Sequence, residues 1–430
     1  MSRVSPVLLV VLYLFGTALI LAEEQRPAGA LDAAPASTLT LAGARQQALS
    51  TSPDLQALNA RVQAAEGAAR QARAFANPEL ALETEDFGGD KTLGVTPQNT
   101  VSLSQGIEWF GKRSARVEAA QHGSEVAVRD LARGRRDLLA DVDRAFTALL
   151  GAQDRAAIAE QNAETAREVT RAVSSLVAAG EVSPVEEARA QGDEALAAID
   201  LENSRRDLDL ARRELTRLWG EDSPPSFAAA GTLAASAVLP DRDTAMVGLA
   251  SLPDLTRWDA EVARQTSLVE FARKQVLPDL KLSVGTRSYS GLSGRAYAAG
   301  LAIPIPLATQ YAGAKAEASA HQEQIKLDRR AEEVRIRVRF LAAHETLSRA
   351  ISEARALRDE VLPRAARVYE ALNEGYRRGK FRLLDLLEAR RTLAQTRLRY
   401  VDALVRLNTA DADLRRLLPD DTDNSIGVQR

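Results

Sequence analysis

Cysteine is absent from this 430-residue chain. That excludes disulfides, thiol catalysis, thiolate metal sites and a lipid anchor on an N-terminal cysteine. Aromatic residues are scarce, at 4%, while Ala, Leu, Arg, Glu and Gln dominate most segments, the bias of long helices and superhelical packing. Surplus positive charge is also missing. The formal net charge is −3, which argues against a nucleic-acid partner, since that would need a basic face. No Gly-rich phosphate loop, HExxH or GxSxG motif occurs, so the chain is expected to be neither an enzyme nor cofactor-dependent.

Long apolar runs are equally rare. Beyond the N-terminus no stretch reaches the roughly 18 apolar residues of a membrane-spanning helix. At the N-terminus Arg3 precedes a mostly apolar run from Val7 to Leu21. It is short for a membrane anchor and is followed by small residues at Ala22, Ala28 and Ala30. It reads as an export signal covering residues 1–22, or as far as 30.

What the sequence does contain, it contains twice. Pro53, Asp54 and Leu55 recur as Pro253, Asp254 and Leu255, and Pro78 and Leu80 as Pro278 and Leu280, at an offset of 200 residues. GEVSPVEEARAQ from Gly180 resembles GKFRLLDLLEARR from Gly379 at an offset of 199. A register held over such a span marks two copies of one unit. They are placed at residues 23–219 and 246–419, with a linker at 220–245 carrying Pro224, Pro225, Gly231 and Pro240, and a tail at 420–430.

Each unit has the same parts. A first helix from about Pro53 to Ala76 has Ser52 as its expected N-cap. A long helix from about Gly111 to Ala178 carries Leu131, Leu138, Val142, Ala145 and Leu149 on one face. At 1.5 Å per residue it is a rod of about 100 Å, longer than any compact domain requires. A third helix, Pro184 to Trp219, follows the break at Gly180; with the first helix it could stack end to end along the rod. The second rod is expected from about Tyr311 to Arg378, kinked at Pro363.

Between first helix and rod lie short alternating stretches. Leu80, Leu82 and Thr84 oppose Ala81, Glu83 and Glu85, and Val101, Leu103 and Ile107 oppose Ser102, Ser104 and Glu108. In the second unit Leu280, Leu282 and Val284 oppose Lys281, Ser283 and Arg287, followed by Leu301, Ile303 and Ile305. A turn at Gly88 and Gly89 joins the first pair. This is the pattern of outer-membrane strands, with Phe87, Trp109, Phe110, Tyr289 and Tyr297 near the ends as an aromatic girdle. Four strands cannot close a barrel and open edges cannot lie in lipid, so several chains must share one barrel. With Leu80 and Leu82 toward lipid, Glu83 and Glu85 face the lumen. Lys281 and Arg287 face it too, leaving no clear sign of charge.

These features together resemble the TolC-like outer-membrane efflux protein family, over nearly the whole chain after the signal. ANPELALETEDFGG at Ala76–Gly89 and IEWFGKR at Ile107–Arg113 resemble its heavy-metal branch, of the cobalt–zinc–cadmium or nickel type. The resemblance implies an α+β membrane channel: a homotrimer with a 12-stranded shared β-barrel in the outer membrane and a helical tunnel across the periplasm. It further implies a periplasmic adaptor and an inner-membrane transporter of the RND type as partners. Divalent heavy-metal cations would be the cargo, with drugs or secreted proteins as the alternative. A periplasmic coiled-coil scaffold or adaptor is the reading of another class.

Candidate sites are few. Gly180 and Gly379 break helices in both units; in the family these tips meet the adaptor. The family gate has an acid six positions after the tip glycine and another three later, here Asp385 and Glu388, while the first unit has Glu186 and Arg189. Arg377, Arg378 and Arg382 are the expected compensating charges. His122 and His321 match at an offset of 199 and could form an imidazole ring in a trimer, a weak candidate for metal.

Overall fold

The computed structural model describes residues 37–87, 96–222, 227–291, 293–305 and 311–418. The expected export signal, the Gly88–Gly89 turn, Pro224 and Pro225, and the C-terminal tail at 420–430 lie outside the described residues.

The elements run β1 (Ser37–Thr40), α1 (Leu41–Thr51), α2 (Pro53–Ala72), β2 (Glu79–Glu85), β3 (Gln98–Ile107), α3 (Lys112–Ala178) and α4 (Pro184–Arg217). Then come β4 (Phe227–Ala230), α5 (Arg242–Gly248), α6 (Pro253–Lys274), β5 (Leu280–Tyr289), β6 (Arg295–Ala302), α7 (Ala312–Ala356), α8 (Leu362–Arg377) and α9 (Leu383–Arg416). The duplication is visible in the order itself. α2, α3 and α4 of the first copy answer to α6, α7–α8 and α9 of the second.

The first rod, α3, is one continuous helix of 67 residues, about 100 Å at 1.5 Å per residue. Alongside it α4 ends where α2 begins. Leu55, Leu215 and Trp219 share a core with Leu138, Val142, Phe146 and Leu149 of the rod. A Cβ on Gly220 would sit 3.1 Å from Pro53 Cγ, so the two helices abut end to end. The second copy repeats this core with Leu255, Ile336, Phe340, Leu347 and Leu414.

The second rod differs. Five residues, Leu357–Val361, form a π-helical turn between α7 and α8, just before Pro363. Proline cannot donate a backbone hydrogen bond and its ring crowds the carbonyl four residues back. The wider π turn takes up that conflict, so the interruption expected at Pro363 lies one turn upstream of it.

Three details correct the sequence reading. α2 ends at Ala72, not Ala76, because Asn77 and Pro78 demand extended backbone before β2. Ser52 precedes α2, but its side chain makes no capping bond; Pro53 opens the helix without an N–H to satisfy, and Ser52 is buried with its Oγ unpartnered. The stretch read as a linker contains ordered elements. β4 pairs in parallel with β1, and α5 is capped by Asp241, whose carboxylate accepts the Thr244 N–H at 2.9 Å. β1, α1, β4 and α5 carry too little periodicity to be read from sequence.

Candidate functional site

The strands of both copies form one antiparallel sheet in the order β2–β3–β5–β6, with the pairing that joins the two copies at its centre. Register sorts its faces. Leu80, Leu103 and Val284 are aligned across strands, as are Leu82, Val101 and Tyr297, and as are Leu282 and Leu301. These side chains are exposed in the chain, Leu82 at 75% and Tyr297 at 89%. A face this apolar and this exposed is built to meet something other than water.

The opposite face is polar and small. Glu79, Ser104, Ser283 and Gly300 form one row, Ala81, Ser102, Gly285 and Ala298 the next, and Glu83, Thr100, Arg287 and Ala296 a third. Gly285 has no room for a side chain, since a Cβ would lie 2.8 Å from Val101 O. Lys281 Nζ lies 2.6 Å from Glu79 and Arg287 3.7 Å from Glu85, while Arg287 Nε donates to Thr100 Oγ1 at 2.9 Å. The face therefore carries paired charges, with Glu83 opposite Thr100.

The tips at the far ends of the helices share one backbone. Gly180 has φ +76° and Gly379 φ +70°, both left-handed. At each tip the glycine N–H and the next N–H turn back onto the preceding helix: Gly180 to Val177 O and Glu181 to Leu176 O, Gly379 to Tyr376 O and Lys380 to Gly375 O. This is the Schellman closure, which requires glycine for its φ alone; a Cβ would meet nothing within 4 Å.

Charge distinguishes the tips. In the first, Ser183 caps α4 and Glu186 pairs with Arg189 at 3.3 Å. In the second, Asp385 sits three residues into α9 and its carboxylate reaches back to accept the Arg382 N–H at 3.2 Å. Arg382 Nε lies 3.8 Å from Asp385, whereas Arg378 is bound to Glu374, so of the expected compensating arginines Arg382 serves Asp385 and Arg378 does not. Glu388 is exposed on the same helix.

Sequence reasoning missed the contacts joining the tips. Val173, Ala190 and Leu383 form a buried knot with Val182, Tyr376 and Leu387 around it. Burial, and then Glu186 nearby, push the Tyr376 hydroxyl above its ordinary pKa. One to two turns further on, Arg390 is buried and donates to Asp193 of α4 and to Asn162 O of α3, at 3.2 Å for the latter. Burial pulls the Arg390 guanidinium below its ordinary pKa, and its Nε has no partner. A lone Asp in a charged helix gives no sequence signal for such a contact.

The histidines do not come together within the chain. His122 Nδ1 lies 3.0 Å from Glu125, and His321 Nδ1 3.3 Å from Gln324. Among the described residues no group of three or more His, Cys, Asp or Glu is placed to hold a metal ion. Among them, too, no helix is long and apolar enough to cross a membrane.

A sheet apolar and exposed on one face and polar on the other, continued by long helical rods, is the architecture of a membrane duct with a helical extension. The chain belongs to the outer membrane efflux protein family, which matches residues 44–221 and 248–419. It is 33% identical over 383 residues to the cobalt-zinc-cadmium resistance protein CzcC of Cupriavidus metallidurans, covering 89% of this chain and 90% of that one. The fold is that of the outer-membrane channel CmeC of Campylobacter jejuni, with a TM-score of 0.77 at 15% identity over 95% of this chain and 97% of the other. It is also that of the outer-membrane channel OprN, at 0.72 and 20% over 88% and 89%. The protein is thus an outer-membrane efflux channel whose rods extend into the periplasm.

Proposed function

We propose that this chain is the exit duct of a pump that exports divalent heavy-metal cations. The observation that carries the assembly is the sheet: β2 and β6 are its edges, and its apolar face belongs in lipid, where open edges are not tolerated. Three copies of the four-stranded sheet would close a barrel of twelve strands, and their rods a tunnel below it. The resemblance to CzcC supports the cargo. The tips at Gly180 and Gly379 are where a periplasmic adaptor and an inner-membrane RND transporter would engage, and Asp385 and Glu388 where the tunnel would be gated. The paired charges of the inner face, Glu79 with Lys281 and Glu85 with Arg287, make the barrel a poor cation selector, which leaves selection to the pump.

The test has two arms. The protein should fractionate with the outer membrane and run as a trimer in mild detergent; a monomer there would overturn the assembly. Deleting the gene should lower tolerance to zinc, cobalt, cadmium or nickel more than to organic drugs. The reverse order would assign the duct to drug export.

A further inference from the structure

The helix-side end of the sheet carries a cluster that neither the barrel nor the tips account for. β3 leaves the sheet and turns into α3 through two consecutive left-handed residues, Phe110 at φ 56° and Gly111 at φ 75°. Among the described residues Phe110 and Asp86 alone hold positive φ without being glycine. A bulky residue in that conformation marks a turn held by its surroundings. The result is that Trp109 and Phe110, with ring centroids 6.2 Å apart, both stand in the open. Phe75, from the segment between α2 and β2, is exposed at 74% at the same end of the sheet. Leu277, Ile303 and Ile305 are exposed at the same end. The apolar face of the sheet thus ends in a ring-rich border, where a bilayer ends and headgroups begin.

Cations lie within this border. Lys112 is matched by Asp279 at 2.9 Å, Arg116 by Glu108, and Lys274 by Glu270 at 3.6 Å. Arg113 and Arg73 form no ion pair among the described residues, though Arg73 shares a cleft with Glu66, Glu118 and Glu125. The Arg113 guanidinium lies over the Phe75 ring at 4.3 Å, and its Nε and Nη2 donate to Arg73 O. That uses two of its five N–H groups. The remaining donors are fixed in place by the stack and have nothing negative to meet. The second copy lacks the arrangement: Gln275 stands where Phe75 stands in the first.

We propose that this corner binds the phosphate headgroup of an anionic phospholipid, of the phosphatidylglycerol class, in the leaflet on the helix side. Arg113 supplies a planar fork for the phosphate, Arg73 a second charge, and Trp109, Phe110 and Phe75 seat the glycerol region. Charge complementarity favours this occupant over a zwitterionic lipid, because neither the Arg113 nor the Arg73 guanidinium is ion-paired among the described residues. There is one such corner per chain, at the turn where the barrel strand becomes the first rod, so a bound lipid would fix the depth of the duct.

The test uses the full-length protein reconstituted in nanodiscs containing phosphatidylglycerol and phosphatidylcholine, extracted in mild detergent and read by native mass spectrometry for retained lipid. Wild type should retain phosphatidylglycerol in preference. Arg113→Gln and Arg73→Gln should each lower that retention by about fivefold and leave phosphatidylcholine unchanged. Trp109→Ala should lower both. Lys326→Gln, about 20 Å along α7 from its start at Ala312, should change neither. Equal retention of the two lipids by wild type, wild-type retention by the Arg73/Arg113 double variant, or an equal loss in Lys326→Gln would overturn the proposal. The Arg73 side chain makes no hydrogen bond or ion pair among the described residues, so Arg73→Gln carries the test alone if Arg113→Gln fails to assemble. A chain that enters no disc would overturn the membrane reading itself, and the proposal with it.

Discussion

The two copies of the unit have kept their backbone and changed their chemistry. Both cores repeat the same spacing, Leu138, Val142 and Leu149 answering to Ile336, Phe340 and Leu347 at an offset of 198, and both tips close on a left-handed glycine. Yet the first rod is unbroken and the second contains a π turn. The first tip pairs Glu186 with Arg189; the second holds two acids. Packing constrains both copies alike, since each must bury the same stripe against the same neighbours. Charge and rod continuity are free to differ, and those differences are where the copies can take separate roles.

The strongest test of that division is the contact that crosses it. Arg390 belongs to α9 of the second copy and Asp193 to α4 of the first, while their counterparts, Gln191 and Thr392, are uncharged. Asp193 also has Arg391 at 3.6 Å, so removing Asp193 strands the buried Arg390 charge, at a cost of about 3–5 kcal/mol, while removing Arg390 costs less. Asp193→Leu should therefore lower thermal stability sharply in far-UV circular dichroism, while Asp193→Leu with Arg390→Met should recover most of the loss. Equal losses in single and double variants would mean that the pair is not the join.

Next in size is the difference between the rods. Thr165 of α3 is the counterpart of Pro363 at the offset of 198 that relates the two cores. Thr165→Pro would remove a bond from a continuous helix that has no π turn to absorb the ring, and should cost about 3 kcal/mol or more. Pro363→Ala should be nearly neutral and should slow amide exchange across Leu357–Val361 as the turn reverts toward α. If both substitutions cost the same, the rods do not differ in the way the π turn indicates.

Smaller still is a prediction of equality. Gly180→Ala and Gly379→Ala each place a Cβ on left-handed backbone with open space around it, so the cost is conformational only, about 1 kcal/mol at either tip. A large asymmetry would show that one tip is packed against something the chain alone does not present.

How much of this was legible in the sequence depends on period. The duplication, the rods and the four alternating strands were readable because each repeats a simple spacing over many residues, as in Leu80–Leu82 or Leu138–Val142–Leu149. The π turn was half readable: Pro363 announced a conflict but not how the backbone would settle it. β1 and β4 were not readable, being four residues each and held by one another across the chain. Nor was the Asp193–Arg390 contact, because one charged residue among many on a helix face looks the same whether it meets water or a partner. Asp385 was legible as an acid near a tip but not as a cap, since its partner is the backbone N–H of Arg382, with the same residue's side chain close by.

That last point separates the two acids of the second tip, and sets the smallest predicted effects against each other. Asp385 is committed: its carboxylate accepts the N-cap N–H of Arg382 and lies beside that residue's guanidinium. Asp385→Ala should cost about 1 kcal/mol of stability as a lost cap and change ion selectivity little, because its charge is already balanced. Glu388 has no partner among the described residues, and its counterpart in the first copy is Arg189, a charge of opposite sign. In a three-fold assembly Glu388 would recur around the axis as a carboxylate ring that favours cations. Glu388→Gln should therefore lower cation preference in planar-bilayer recordings by about two- to fivefold, and Arg189→Gln should raise it, both without loss of stability. If instead Asp385→Ala moves selectivity and Glu388→Gln does not, the cap is incidental and the gate charge lies at Asp385.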